Sequence, residues 1–270
     1  MTPVILYRGR DFEEYELKAV KQAGFRVVNS RIDASAGDLV IGRYSVLPYY
    51  LELERDLTKI GARLINSYRQ HNYIADLREW YQDLSEFTPK TWFRLEDVPH
   101  NAGPFVVKGK TNSKKFQWNE LMFAKDWDAI GPIYSALLND GLIGEQDVYV
   151  RQYIPLKTYM TSFYDLPITD EYRFFYYKGQ VISSGYYWSS HVQDLMDLHI
   201  CPNPSNVPWS IITKVGEIVK SKAPFVAADF AQTADGNWIL IELNDGQMSG
   251  LSENQPNLLY SNLMKALNGD

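Results

Sequence analysis

The chain has 270 residues, 45% hydrophobic and 22% charged, enough to bury a sizeable core in one large domain or two ordinary ones. Its 27 basic and 33 acidic residues leave a net charge of −6, which gives no whole-chain signal for nucleic acid or an anionic membrane. A single cysteine, Cys201, excludes an intrachain disulfide and a cysteine-based zinc cage, and no run approaches the ~20 apolar residues of a membrane helix. Residues 1–8 lack a basic stretch followed by a long apolar run, so no secretory signal is read and a cytoplasmic protein is expected. Aromatic residues are abundant, which points to well-filled cores and identifies no ligand.

In chain order, Val4 to Tyr7 is a short buried strand and residues 11 to 23 an amphipathic helix stopped by Gly24. Strands over Phe25 to Val28 and Asp38 to Gly42 follow, then a helix from Pro48 to about Ile60 and a strand from Ala62 to Asn66. This alternation predicts an α/β layer with a mostly parallel sheet. The turn after its first strand, Tyr7-Arg8-Gly9-Arg10, does not fit a dinucleotide fingerprint, so this layer is not read as a nucleotide site. Arg8, Arg10 and Arg43 could meet an anionic substrate, against a plainer role at a solvated surface. A boundary near residue 68 separates this layer, residues 1–68, from the remainder, residues 69–270.

Beyond it, a helix is expected from about His71 to Leu84 and a strand over Phe105 to Lys108. That strand enters a polar loop with Lys110, Lys114 and Lys115. A helix over Glu120 to Leu138, with a break at Gly131-Pro132, precedes a strand from Asp147 to Ile154; residues 157 to 170 look irregular. Glu171 to Tyr177 and Gln180 to Trp188 form a hairpin about Lys178-Gly179. Residues 189 to 209 read as loop or short helical turns, and Ile211 to Lys222 as a helix. A second hairpin runs from Phe225 through Asp235-Gly236-Asn237 to Glu242 and Asn244, before a terminal helix over about Gln255 to Leu267.

Several of these residues suit chemistry. Pairing about the second turn brings Asp229 level with Glu242 and Asn244, a hard-oxygen cluster suited to magnesium; a solvated hairpin end is the alternative. Lys108 follows Phe-Val-Val and, pointing inward, needs an anionic partner, while the loop after it can lay backbone N–H groups and ammonium charges over phosphates. Arg151 and Arg173 sit inside aromatic-rich strands, where an arginine needs an acid or a phosphate; for Arg173 an internal pair with Glu171 is the plainer possibility. No nucleophile elbow and no metal-spaced histidine set is present, which disfavours acyl-enzyme hydrolysis.

In this order the chain resembles the ATP-grasp superfamily, most closely a compact clade similar to the RimK-type ligases. The resemblance rests on Phe105-Val-Val-Lys108 to Lys115, Val148 to Ile154, Glu171-Tyr-Arg173, Asp229 and Glu242 to Gly250. The Glu171-Tyr-Arg173 hairpin also looks like that of the eukaryotic ATP-grasp factor that assembles an initiation-factor complex. The resemblance implies an α/β (α+β) fold: two antiparallel-sheet subdomains sandwiching ATP, preceded by a small α/β pre-ATP-grasp domain. Lys108 would contact the phosphates, with the loop through Lys114 and Lys115 folded over them. Arg151, Gln152, Tyr153 and Ile154 would line the hinge against the adenine edge, Glu171 would take the ribose, and Arg173 would face the transferred phosphoryl group.

Asp229, Glu242 and Asn244 would hold Mg2+. The implied chemistry is activation of a carboxylate as an acyl phosphate, followed by attack of an amine. The substrate would be a small molecule or peptide bearing a carboxylate, with Gly246, Gln247 and Ser249 presenting backbone N–H groups to it or, alternatively, only turning the chain into its last helix. A nucleotide-binding assembly factor clamping a protein partner, or a phosphotransferase or RNA-ligase-type enzyme, are the other classes. Two departures stand out: Arg151-Gln152 occupies a hinge that tends to carry an acid, and no lysine precedes the Pro89-Lys-Thr strand within His71 to Asp76. One of Lys110, Lys114 or Lys115 would substitute.

Overall fold

Four short strands pair in parallel at the start of the chain, in the order β2-β1-β3-β4. They are β1 (Thr2–Leu6), β2 (Arg26–Val28), β3 (Asp38–Ile41) and β4 (Arg63–Leu64), with α1 (Glu14–Gln22) and α2 (Tyr50–Lys59) as the crossovers. The computed structural model describes residues 2–7, 14–44, 46–111, 113–141 and 143–269, with Tyr164 as backbone only; Arg8 and Arg10 lie outside the described residues. Leu53 and Leu57 of α2 pack with Val4, Leu6 and Val40 on one face of the sheet. Ile5, Leu39 and Ile41 on the other face share a core with α1 and with later parts of the chain. That alternation along β1 and β3 is what a sheet covered on both sides requires.

The helix expected over residues 71–84 is two: α3 (Tyr68–Ala75) and α4 (Leu77–Leu84). α3 starts in a capping box, with Ser67 accepting from Gln70 N–H and the Gln70 side chain reaching back to Ser67. Asp76 ends it and caps the next helix by accepting from Arg78 N–H at 2.9 Å.

A four-stranded antiparallel sheet follows, in the order β5-β8-β6-β7: β5 (Thr91–Trp92), β6 (Phe105–Gly109), β7 (Phe123–Ala124) and β8 (Val148–Gln152). Between β6 and β8 run α5 (Trp118–Leu121) and α6 (Trp127–Leu138). The expected break at Gly131-Pro132 falls elsewhere. Asp126 caps α6 by accepting from Ala129 N–H, and the helix runs through Pro132; the interruption is β7, before that cap. Residues expected to be irregular form a small antiparallel pair, β9 (Thr158–Thr161) and β10 (Pro167–Thr169).

The central sheet has the order β12-β11-β13-β14, all antiparallel: β11 (Glu171–Tyr177), β12 (Gln180–Tyr186), β13 (Phe225–Gln232) and β14 (Trp238–Asp245). α7 (Val192–Asp197) and α8 (Trp209–Val219) lie between the two hairpins, and α9 (Pro256–Asn268) closes the chain. Lys178 and Gly179 both take positive φ, 47° and 79°, the conformation a two-residue hairpin turn needs. One face of this sheet packs Phe174, Tyr176 and Phe230 against α4 and α8. On the other, Phe175, Tyr177 and Phe225 pack with α1, α9 and the first sheet. The far end of that second face carries Glu171 and Arg173. Among the described residues, no helix is long and apolar enough to cross a membrane.

Candidate nucleotide site

Strand register assembles the charged row. Arg173 pairs with Asp229 across β11 and β13, and Asp229 pairs with Glu242 across β13 and β14, so the three side chains stand on one face. Arg173 donates Nε and Nη2 to the two Asp229 oxygens at 2.8 Å each, and Nη1 to Gly250 O at 2.9 Å. Arg173 therefore pairs with Asp229 across the sheet, and not with Glu171 along its own strand. Burial opposes the Arg173 charge, but Asp229 raises its pKa well above the usual value.

Lys108 reaches this row from the other sheet. Its Nζ donates to Glu242 Oε1 at 2.7 Å, joining β6 to β14. Burial favours the neutral form of both partners. For Lys108 this lowers the pKa despite Glu242; for Glu242 the charges of Lys108 and Lys115 prevail and hold the carboxyl down at about 2. Lys108 has the inward-facing anionic partner its setting demands.

A cavity opens between the two sheets. Val106, Met122, Tyr153, Ile154, Ile239 and Ile241 supply apolar wall, and Lys108, Lys115, Arg151, Glu171 and Glu242 supply charge. A second, more open cavity is lined by Arg173, Tyr187, Asn244, Ser249 and Gly250, together with Lys115 and Glu242 again. Lys115 and Glu242 thus stand where the two cavities meet. Glu171 is buried; its Oε2 accepts from Thr169 Oγ1 at 3.1 Å, while Oε1 has no hydrogen-bond partner among the described residues. Burial raises its pKa to about 7 against the pull of Lys115.

The hinge residues differ in what they offer. Arg151 donates to Thr88 Oγ1 at 2.6 Å and Ile241 O at 2.9 Å, groups that are neither acid nor phosphate, and its buried Nε has no partner among the described residues. Burial lowers its pKa to about 10. Gln152 is exposed at the rim; its N–H donates to Lys90 O, and that of Tyr153 to Pro104 O at 3.0 Å. The Tyr153 N–H is therefore already engaged, leaving its side chain and Ile154 as the cavity wall.

The loop lysines separate cleanly. Lys110 lies 3.7 Å from Asp76, and Lys114 pairs with Asp140 at 2.6 Å and lines neither cavity. Lys115 faces both cavities and donates to Tyr187 Oη at 2.7 Å. The expectation that Lys114 faces the phosphates is corrected: Asp140 draws it away.

The expected substrate segment is corrected too. Gly246 N–H donates to Phe225 O, Gln247 N–H to Asp245 Oδ1 and Ser249 N–H to Asp245 O, so none is free for a carboxylate. The Gln247 side chain is fully buried between Gly42 N–H and the Tyr50 hydroxyl. A Cβ on Gly246 would stand 2.8 Å from the Phe225 ring. Nor does the segment merely turn the chain into α9. Arg43, wholly buried, donates to Gly246 O at 2.6 Å and Ser249 O at 3.0 Å and pairs with Glu16 at 3.0 Å. Arg43 is neither a surface residue nor an open anion contact; it ties the first sheet to this segment.

Asp229 is completely buried, with both oxygens on Arg173, whereas Glu242 and Asn244 open to the second cavity. Among the described residues no three His, Cys, Asp or Glu side chains cluster as a metal cage. Two carboxylates and an amide fit a magnesium ion that keeps its waters and bridges phosphates, since such an ion asks little of the protein. His191 pairs with Asp194, and Cys201 is a free, exposed thiol, so neither joins the site.

The family model of an ATP-grasp domain, the third family of its clade, matches residues 95–263. The chain belongs to this ATP-grasp family. The matched stretch includes Lys108, Arg173, Asp229 and Glu242, and so both antiparallel sheets except the short β5. No curated protein sequence matches the chain. Solved ATP-grasp structures resemble it over nearly its whole length. A RimK domain protein from Sphaerobacter thermophilus DSM 20745 is 15% identical, with a TM-score of 0.59 over 98% of this chain and 99% of that one. The D-cycloserine synthetase DcsG is 12% identical, with a TM-score of 0.63 over 100% of each. The macrocyclase MdnC from Microcystis aeruginosa MRC, bound with its precursor peptide MdnA, is 13% identical, with a TM-score of 0.60 over 100% of each. At these identities the likeness establishes the ATP-grasp fold, including the leading parallel sheet that the family match leaves out.

Three parts of this ATP-grasp site carry no motif in the sequence: Tyr187, Thr169 and the Trp188 indole that donates to Thr169 at 3.0 Å. All three sit at strand ends where β10, β11 and β12 meet. The one available sign was the aromatic pair directly after a hairpin strand.

Proposed function

We propose that the protein is an ATP- and magnesium-dependent carboxylate–amine ligase of the RimK-like kind. It would act through an acyl phosphate on a small-molecule or peptide carboxylate. The observation that carries this reading is the Lys108–Glu242 contact, which bridges the two sheets where the two cavities meet. The apolar cavity suits the base and sugar of a nucleotide, with the unpartnered Glu171 oxygen an acceptor for ribose hydroxyls. The second cavity suits the carboxylate and the attacking amine.

Glu242 and Asn244, with Asp229 behind them, would hold magnesium, which when bound neutralises charge on the phosphates. Lys108 and Lys115 would hold phosphate oxygens, and Arg173, fixed by Asp229, would face the phosphoryl group in flight. A carboxylate oxygen attacks the γ-phosphorus and ADP leaves; the amine then attacks the acyl carbon, releasing phosphate and a proton. None of these steps uses a protein nucleophile. The precursor peptide held by MdnC is one model for the acceptor. In this reading residues 1–68 form the pre-ATP-grasp layer and residues 69–270 the ATP-grasp region.

A screen of amino acids and peptides with γ-labelled ATP tests the proposal. ADP and free phosphate in step with a new amide support it. Label transferred to the acceptor, or tight binding without turnover, would instead indicate a phosphotransferase or an assembly factor.

A further inference from the structure

Tyr187 links the two cations that face the second cavity. Its N–H donates to Glu171 O at 2.9 Å, which fixes it one residue past β12. The Lys115 ammonium donates to its hydroxyl at 2.7 Å and lies 4.2 Å from the ring centroid. The Arg173 guanidinium carbon lies 5.0 Å from the same centroid. Trp188 meets Tyr187 edge-on at 5.1 Å and is itself 5.3 Å from the Lys115 ammonium. An aromatic face attracts a cation most where water is sparse, so one ring stabilises both side chains despite their like charge.

The neutral phenol matters as much as the ring. Glu171 and Glu242 both attract the Lys115 ammonium, and direct pairing with either would neutralise a carboxylate of the site. Tyr187 offers a hydrogen-bond acceptor without a counter-charge. Lys115 pulls its pKa down, but burial, Asp229 and Glu171 outweigh that pull, and the phenol stays protonated.

We propose that Tyr187 is a positioning residue: it latches Lys115, and with it the loop from Lys110 to Gln117, onto the central sheet, so that Lys115 and Arg173 face the same cavity. The proposal rests on the ATP-binding reading above and deepens it by naming what holds the covering loop. The test measures hydrogen exchange of peptides spanning residues 110–121, beside the affinity for Mg·AMP-PNP. It compares the wild type, Tyr187→Phe, Tyr187→Leu and Lys115→Met. Losing ring and hydroxyl together should speed loop exchange and weaken nucleotide binding, each roughly tenfold. Lys115→Met should open the loop equally, and Tyr187→Phe should fall between. A wild type that binds Mg·AMP-PNP while Tyr187→Leu matches it in exchange and affinity overturns the latch. If Tyr187→Leu does not fold, unchanged loop exchange in Tyr187→Phe does so. A wild type that binds no nucleotide, with loops still opened in the variants, leaves the latch standing and defeats the ATP reading alone.

Discussion

Asp229 shares two hydrogen bonds of 2.8 Å with Arg173 and is wholly shielded from water. Removing one partner strands the other charge, so Asp229→Ala should lose about 3–5 kcal/mol in urea unfolding. The double change Arg173→Met with Asp229→Leu should recover most of that loss, because neither charge remains to be buried. Glu171 gives a pH signature. Its folded pKa, about 7, lies above an ordinary 4.5. The unfolded chain therefore releases this proton first, and the stability it contributes, present below pH 4.5, is lost as pH rises towards 7. Glu242, held at about 2, works in the opposite sense: its contribution is present above pH 4.5 and lost as pH falls towards 2. Between about pH 5 and pH 8, wild-type stability should fall more than that of Glu171→Gln; equal falls would contradict the assigned shift.

Elements were legible where local chemistry chose them. The hairpin turns at Lys178-Gly179 and Asp235-Gly236 announce themselves, and the register they impose places Asp229 opposite Glu242. Asp76 was harder: a cap inside an apolar helical pattern splits α3 from α4, and the sign was Glu79 three residues on, at the start of a second run. β9 and β10 are short and partly exposed, so no alternation marked them. The β11–β12 turn also docks on α8, where a Cβ on Gly216 would lie 2.3 Å from Gly179 O. Gly216→Ala should cost about 1–3 kcal/mol through this clash, seen as a lower thermal midpoint. An unchanged midpoint would mean the turn can lift from the helix without penalty.

At the scale of the molecule, Arg43 is the lesson in what sequence withholds. Its partners, Glu16 and the carbonyls of residues 246 to 249, lie 27 and more than 200 positions away, and no periodicity points to them. The same contact carries the first sheet onto the end of the hairpin that bears Glu242. Arg43→Ala leaves Glu16 buried and unpaired and should lower stability by about 3–5 kcal/mol, with the first sheet and the hairpin end losing exchange protection together. By contrast, the Lys108 and Glu242 motifs were readable because a charge set into an apolar strand requires a partner. The most direct test of the account is calorimetric titration of Mg·AMP-PNP into wild type, Lys108→Met and Glu242→Gln, with folding checked by circular dichroism. Magnesium-dependent binding by the wild type, weakened about 10–100-fold in each folded variant, is the predicted result. Absence of wild-type binding, or equal affinity in both variants, would contradict it.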